Sequence, residues 1–136
     1  MKPVVQEDSL GCGIACVAYV CGVKYKTAKE RYFRGLGDAN KKGFLCKDLV
    51  LTFSRAGKVY EYKYLKTRKQ LRADTIVFIK RSEKYPFGHY LAKTTKGWMD
   101  PWINFSKKEL DVTSAKSGFR KRLPGRAVYG ILSLRK

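Results

Sequence analysis

The chain has 136 residues and a formal net charge of +19, from 30 Lys and Arg residues against 11 Asp and Glu residues. Hydrophobic residues make up 44% of it, which is enough apolar material for one folded domain over residues 1–136 and excludes wholesale disorder. The charge favours an anionic partner such as nucleic acid, an acidic membrane surface or an acidic protein. A basic surface that is merely solvated explains the charge about equally well.

The sequence predicts a protein without a membrane-spanning segment, because no apolar run approaches the roughly 20 residues that such a helix needs. Residues 1–8 lack the apolar stretch and cleavage site of a signal peptide. The four cysteines match no zinc-knuckle spacing, so we expect reduced thiols in the cytoplasm, with no metal and no cofactor. We also expect a monomer. The cysteines are Cys12, Cys16, Cys21 and Cys46.

The first third of the chain predicts helices. Residues 11–20 are apolar on nearly every side, as in a buried helix, and Gly22 is expected to end it. Thr27 followed by Glu30 matches a capping box, so a second short helix is predicted to begin there and to end near Gly35.

A third helix is predicted over residues 47–56, and the pattern then changes to that of strands. Alternating and β-branched segments predict strands over residues 59–64, 75–79, 88–94, 96–98 and 127–134. The intervening residues 106–117 are polar and predict a short helix with a loop. Helices followed by strands indicate an α+β fold in which N-terminal helices pack on an antiparallel sheet.

Cys12 is the candidate nucleophile. It lies between Gly11 and Gly13 at the start of the first predicted helix, where unpaired N–H groups and the helix dipole favour a thiolate. The flanking glycines would let a substrate backbone come close to the sulfur. The alternative is a buried structural cysteine, which would leave the two glycines unexplained.

A thiolate nucleophile needs a base, a group that orients the base, and donors for an oxyanion. His89 is the only histidine in the chain and therefore the only candidate for an imidazole base. Asp100 follows eleven residues later, and a tight turn between two strands would bring it beside His89, where it would fix the ring. The amide of Gln6 could donate to the oxyanion. Each of these residues alone is also explained by a purely structural or surface role.

The combination of these residues resembles the peptidase C39 family, the papain-like domains that remove double-glycine leader peptides from bacterial bacteriocin precursors. The resemblance covers roughly residues 4–104. It rests on Gln6, Asp8, the block Cys12-Gly13-Ile14-Ala15-Cys16, the strand Thr75–Ile79, and the block Gly88-His89-Tyr90 with Asp100-Pro101. One departure is Gly11, where the family usually has Asp. The resemblance implies a papain-like fold with Cys12 as nucleophile, His89 as base, Asp100 as orienting carboxylate and Gln6 as oxyanion donor.

Two classes of function follow. The first is a thiol peptidase that cleaves a peptide or protein with small residues before the cut, as the resemblance implies. Acyl transfer and deamidation use the same acyl-enzyme and stay open as alternatives. The second is a binding module for nucleic acid or an acidic protein, since Lys and Arg alternate with Tyr over residues 60–69.

Overall fold

Three helices precede a six-stranded sheet in the computed structural model, which describes residues 2–66, 71–106, 108 and 110–134. Thr67, Arg68 and Lys69 of the predicted basic segment lie outside the described residues. The prediction of an α+β fold is confirmed. The helices are α1 (Cys12–Cys21), α2 (Tyr25–Arg31) and α3 (Cys46–Arg55). The strands are β1 (Tyr60–Tyr64), β2 (Ile76–Ile79), β3 (His89–Lys93), β4 (Trp98–Asp100), β5 (Gly118–Arg120) and β6 (Ala127–Ser133).

The sheet has the strand order β1-β6-β2-β3-β4-β5, and every neighbouring pair is antiparallel. The apolar strand β2 lies between β6 and β3, as its continuous run of β-branched residues predicts. The last strand of the chain, β6, lies between β1 and β2. The edge strands of the sheet are β1 and the short strand β5. In the described part of the chain, no helix has the length and apolarity needed to cross a bilayer.

Two hydrophobic clusters hold these layers together. The larger cluster joins the three helices to the sheet through buried side chains such as Ile14, Leu49 and Ile131. The smaller one lies around Val77 and Leu91 and is covered by loop side chains. The sheet therefore has helices on one face and loops on the other, and its central strands β2 and β3 are buried.

Helix α1 follows its prediction closely because its sequence and its environment agree. Residues 13–18 are buried, and Gly22 in the left-handed conformation ends the helix with hydrogen bonds to Ala18 O and Tyr19 O. Gly11 precedes the helix where a Cβ atom would collide with the hydroxyl of Tyr25. This collision gives a local reason for the glycine that departs from the C39 pattern.

The predicted boundaries of the second helix are wrong at both ends. Helix α2 begins at Tyr25, and Thr27 lies inside it without a capping hydrogen bond. The earlier start places the Tyr25 ring in the core and its hydroxyl 2.6 Å from the Asp8 carboxylate, a tertiary contact that outweighs the local capping pattern. The helix ends at Arg31, and turns replace it before Gly35.

Strand β5 and the length of β4 are not anticipated by the sequence. Residues 118–120 lie in a basic segment with no periodicity, yet they pair with β4, which runs from Trp98 to Asp100 rather than ending at Trp98. Among the described residues between 106 and 117, a 3-10 turn at Val112–Ser114 stands in place of the predicted short helix. Asp100 is consequently the last residue of a strand rather than part of a turn.

We predict that Phe53→Ala lowers the free energy of unfolding by about 3–5 kcal/mol, as truncating a buried aromatic ring does. Phe53 is fully buried and stacks on Tyr60, with ring centroids 3.7 Å apart, so it joins α3 to β1. Denaturant titration measures the effect. Leu51→Ala, at a 41% exposed position of the same helix, is the control and should change stability by less than about 0.5 kcal/mol. Equal losses in the two variants would contradict this packing.

Candidate active site

A narrow cleft of about 70 Å³ lies where α1 begins and β3 begins. Cys12, His89 and Gln6 all line it. Its volume is well below the roughly 300–1,000 Å³ of a typical small-molecule pocket. The cleft therefore has room for an extended backbone or a small side chain rather than for a bulky ligand.

Cys12 is the first residue of α1 and is partly exposed to the cleft. The first intrahelical hydrogen bond at this end runs from Ala15 N to Gly11 O. The backbone N–H groups of the first turn of a helix have no partner within that helix, so those of Cys12 and Gly13 lack intrahelical acceptors. Cys16, one turn later, is fully buried, and burial raises the pKa of its thiol well above the usual value.

The hairpin of β3 and β4 brings His89 and Asp100 together. His89 is the first residue of β3 and Asp100 the last of β4, and antiparallel pairing places these two ends side by side. The His89 Nε2 atom lies 2.7 Å from Asp100 Oδ1, and both side chains are buried. Because Nε2 faces Asp100, Nδ1 is the ring nitrogen left to face the Cys12 thiol.

The surroundings of the pair set its charge. Burial alone would lower the pKa of His89, but hydrogen bonds with Asp100 and Cys12 and the charges of both outweigh it and raise the pKa to about 9. Burial alone would raise the pKa of Asp100, yet His89 and Arg120 lower it to about 2. These pKa shifts favour a protonated His89 and an ionised Asp100 at neutral pH.

Gly88 shapes the entry into β3. Its φ of +76° lies in the left-handed region, and a Cβ atom there would collide with the ring of Phe78. The chain thus turns directly into His89 from the loop that contains Tyr85. The Tyr85 ring stacks on the imidazole with centroids 4.7 Å apart and an interplanar angle of 2°.

Further aromatic rings extend this wall. Phe105 stacks on Tyr85 at 5.4 Å, and Trp102 meets Phe105 edge-on at 4.9 Å. Trp102 is buried and lines the cleft, whereas Trp98 packs in the smaller core cluster. Of the two tryptophans, Trp102 is therefore the one placed to keep water from the imidazole and the carboxylate.

Gln6 lies in the cleft, but its amide has partners already. Its Nε2 donates to Asp8 O at 3.0 Å and to Ser9 O at 3.1 Å, which occupies both of its hydrogens. The predicted donation to an oxyanion requires the exchange of one of these bonds. The backbone N–H of Gln6 also bonds Pro101 O at 3.2 Å, so this segment is tied to the residue that follows Asp100.

Asp8 fixes the segment that leads from Gln6 to Cys12. Its buried carboxylate accepts hydrogen bonds from the Tyr25 hydroxyl at 2.6 Å, from Lys29 Nζ at 3.0 Å and from Asn40 Nδ2 at 3.2 Å. The sequence singles out Asp8 only through the C39 resemblance, and these contacts give it a structural role.

Arg120 is the residue of the site that the sequence does not identify. Its Nε lies 2.6 Å from Asp100 Oδ2, and its Nη2 donates to Ile103 O at 3.1 Å. In the sequence it is one of several cations in a basic segment. Only the pairing of β5 with β4 distinguishes it from its neighbours, because that pairing brings it within reach of Asp100.

Comparison with protein-family models, with curated proteins and with solved structures returns no match. Among the described residues, no group of three or more His, Cys, Asp and Glu side chains is placed to hold a metal ion. The assignment of the site therefore depends on its own geometry.

We predict that the ring of His89 titrates with a midpoint near pH 9 in the folded protein, against 6.5 for an unperturbed histidine. As the chain has one histidine, a single ring signal in NMR spectra reports it. Cys12→Ala should lower the midpoint because the thiol raises the pKa of His89. Since folding raises this pKa, His89 stabilises the fold fully below pH 6.5, and the contribution is lost as pH rises through about 9. A midpoint at or below 6.5 would mean that burial outweighs both partners.

Proposed function

We propose that this protein is a thiol peptidase with a papain-like fold, in which Cys12, His89 and Asp100 form the catalytic triad. One observation carries the proposal. The only histidine of the chain is buried between the Cys12 thiol and a fully buried carboxylate, in a cleft rich in aromatic side chains. A histidine held between a cysteine and a carboxylate is a usual means of activating a cysteine nucleophile.

In the proposed reaction, the Cys12 thiolate attacks the scissile carbonyl carbon and forms a tetrahedral oxyanion. His89 then transfers its Nδ1 proton to the leaving amine, which departs and leaves a thioester on Cys12. Neutral His89 next accepts a proton from a water molecule that attacks the thioester. The collapse of this second intermediate releases the acid and restores the thiolate and the imidazolium.

The oxyanion donors in this mechanism are the backbone N–H of Cys12 and the amide of Gln6. The N–H group lies at the N-terminal end of α1, where the helix dipole favours negative charge. Gln6 takes part by exchanging its bond to Ser9 O, the longer of its two bonds, for one to the oxyanion.

The small cleft supports a substrate with small residues before the cut, and the C39 resemblance agrees with such a substrate. A Cys-bearing N-terminal helix packed against an antiparallel sheet that carries the His and the Asp supports the papain-like architecture. All four cysteines are unpaired, which supports a reducing compartment such as the cytoplasm.

We predict that iodoacetamide at neutral pH modifies Cys12 faster than the other cysteines, by on the order of tenfold or more. Cys21 and Cys46 are matched internal controls because they too are partly exposed, and burial raises the pKa of both thiols. Peptide mapping by mass spectrometry measures the three rates in one sample. Faster modification of Cys21 or Cys46 than of Cys12 would remove the basis for the peptidase.

The activity itself is tested with a mixed peptide library. Cleavage by the unmodified protein and its loss by on the order of 10⁶-fold in Cys12→Ala are expected, as for other nucleophile deletions. Cys46→Ala is the matched control and should retain cleavage. Transfer of the acyl group to an added amine, without hydrolysis, would instead indicate an acyltransferase.

A second candidate function, the binding of single-stranded nucleic acid, is favoured by one observation. Tyr62, Tyr64 and Tyr129 are 50%, 53% and 38% exposed at the β1 end of the sheet, and the exposed Lys66 follows Tyr64 two residues later. The rings of Tyr64 and Tyr129 meet edge-on at 5.9 Å. Exposed rings among cations are the elements that stack bases and contact phosphates.

We predict that the double variant Tyr62→Ala/Tyr64→Ala weakens binding of a short single-stranded oligonucleotide by at least about tenfold, since each stacked base contributes about 1–3 kcal/mol. Fluorescence anisotropy at several salt concentrations measures it. Phe119→Ala, at a 49% exposed aromatic position on β5, is the control and should bind normally. Affinity that is independent of salt would exclude nucleic acid as the partner.

A further inference from the structure

We propose that Arg120 is a positioning residue of the site, which holds the Asp100 carboxylate toward His89 and cancels its charge. The proposal rests on the function proposed above and assigns a role in it to an arginine from the basic C-terminal third of the chain. Arg120 acts through Asp100, because the arginine contacts the carboxylate while the carboxylate contacts the imidazole.

The first support is the way the two carboxylate oxygens of Asp100 are divided. Oδ1 faces His89 Nε2 at 2.7 Å and accepts the Trp102 N–H at 2.9 Å, while Oδ2 accepts Arg120 Nε at 2.6 Å. The side chain of Asp100 has no exposed surface. A buried carboxylate with donors on both oxygens cannot rotate without breaking a charge-assisted hydrogen bond, so Arg120 fixes the oxygen that orients the ring.

The second support is the reach of the guanidinium group. On β5, Arg120 lies opposite Trp98 of β4 and therefore diagonal to Asp100. Long side chains can span such a diagonal. A further contact, from Nη2 to Ile103 O, holds the loop that leaves β4. One side chain therefore fixes both the carboxylate and the chain that follows it, which a lysine with a single ammonium group would not do equally well.

The third support is the balance of charge. A thiolate, an imidazolium and a carboxylate together would place a net charge of −1 in a buried site, and the guanidinium brings the total to zero. Among the described residues, the titratable and charged groups that face His89 and Asp100 are Cys12 and Cys16 from α1, Tyr85 from the loop before β3, and Arg120 from β5. Arg120 is the only fixed cation in this set.

This balance has a consequence for the proposed reaction. An imidazolium beside an uncompensated carboxylate gives up its proton less readily, because the charge of the carboxylate stabilises the protonated ring. By compensating Asp100, Arg120 keeps the ring oriented while leaving the Nδ1 proton available to the leaving amine. The midpoint of the His89 titration is therefore the quantity that Arg120 controls.

The test is an NMR titration of the single histidine in Arg120→Gln and in the matched control Arg122→Gln. Both variants lose one positive charge from the same segment, but Arg122 is exposed to solvent. We expect Arg120→Gln to raise the His89 midpoint by about one pH unit and Arg122→Gln to leave it unchanged. Equal midpoints in Arg120→Gln and the unmodified protein would overturn the proposal.

The same substitution in an Asp100→Asn background shows whether Arg120 acts through Asp100. A smaller shift in that background supports the proposal, whereas an equal shift means that Arg120 acts on His89 as a distant charge and overturns it. If Arg120→Gln does not fold, Arg120→Lys replaces it. An upward shift of a few tenths of a pH unit relative to Arg122→Gln then supports the role of the fork, and no shift overturns it.

The titration of His89 and the alkylation of Cys12 are separate measurements, so two failures can be told apart. Slow alkylation of Cys12, together with a His89 midpoint that shifts in Arg120→Gln, would reject the peptidase. It would leave the Arg120–Asp100–His89 contact as described. Rapid alkylation together with an unshifted midpoint would reject the role of Arg120 alone.

Discussion

A carboxylate with no exposure to water is the constraint on which this site depends. Removing a charged group from solvent is costly unless hydrogen bonds and opposite charges compensate it. Asp100 is fully buried, and its compensation comes from three parts of the chain, namely the His89 ring, the Trp102 backbone and the Arg120 guanidinium. The positions of these three groups are therefore coupled, because the loss of one leaves the carboxylate under-compensated and destabilises its contacts with the others.

This coupling explains why an edge strand of only three residues matters to the site. Strand β5 buries little apolar surface, and its pairing with β4 is short. Its contribution is the arginine at its end, which the carboxylate draws inward from an otherwise exposed segment. The hydrogen bond from Gln6 N to Pro101 O joins the N-terminal segment to the residue that follows Asp100. Residues far apart in sequence thus meet around one buried charge.

The elements that the sequence predicts correctly are those specified by local patterns. The run of apolar residues predicts α1, and the alternation of residue types predicts β1, without knowledge of their tertiary contacts. The predicted start of α2 is wrong because the contact between Tyr25 and Asp8, seventeen residues apart, outweighs the capping pattern at Thr27. Strand β5 and Arg120 were missed because a three-residue strand in a basic run has no periodicity. Their placement depends on the pairing of β5 with β4, a tertiary contact that no local pattern reveals.

Charge has two different roles in this molecule, which net composition cannot separate. Most of the 30 cations add to the potential of the surface, where water and salt screen them. Arg120 lies beside a buried carboxylate, where screening is weak and one charge alters the proton affinity of a neighbouring ring. A neutral amide in place of Asp100 could orient His89 without any counter-ion. An Asp–Arg pair achieves similar neutrality but also ties the orientation of the imidazole to the docking of β5, so the geometry of the site depends on the integrity of the sheet edge.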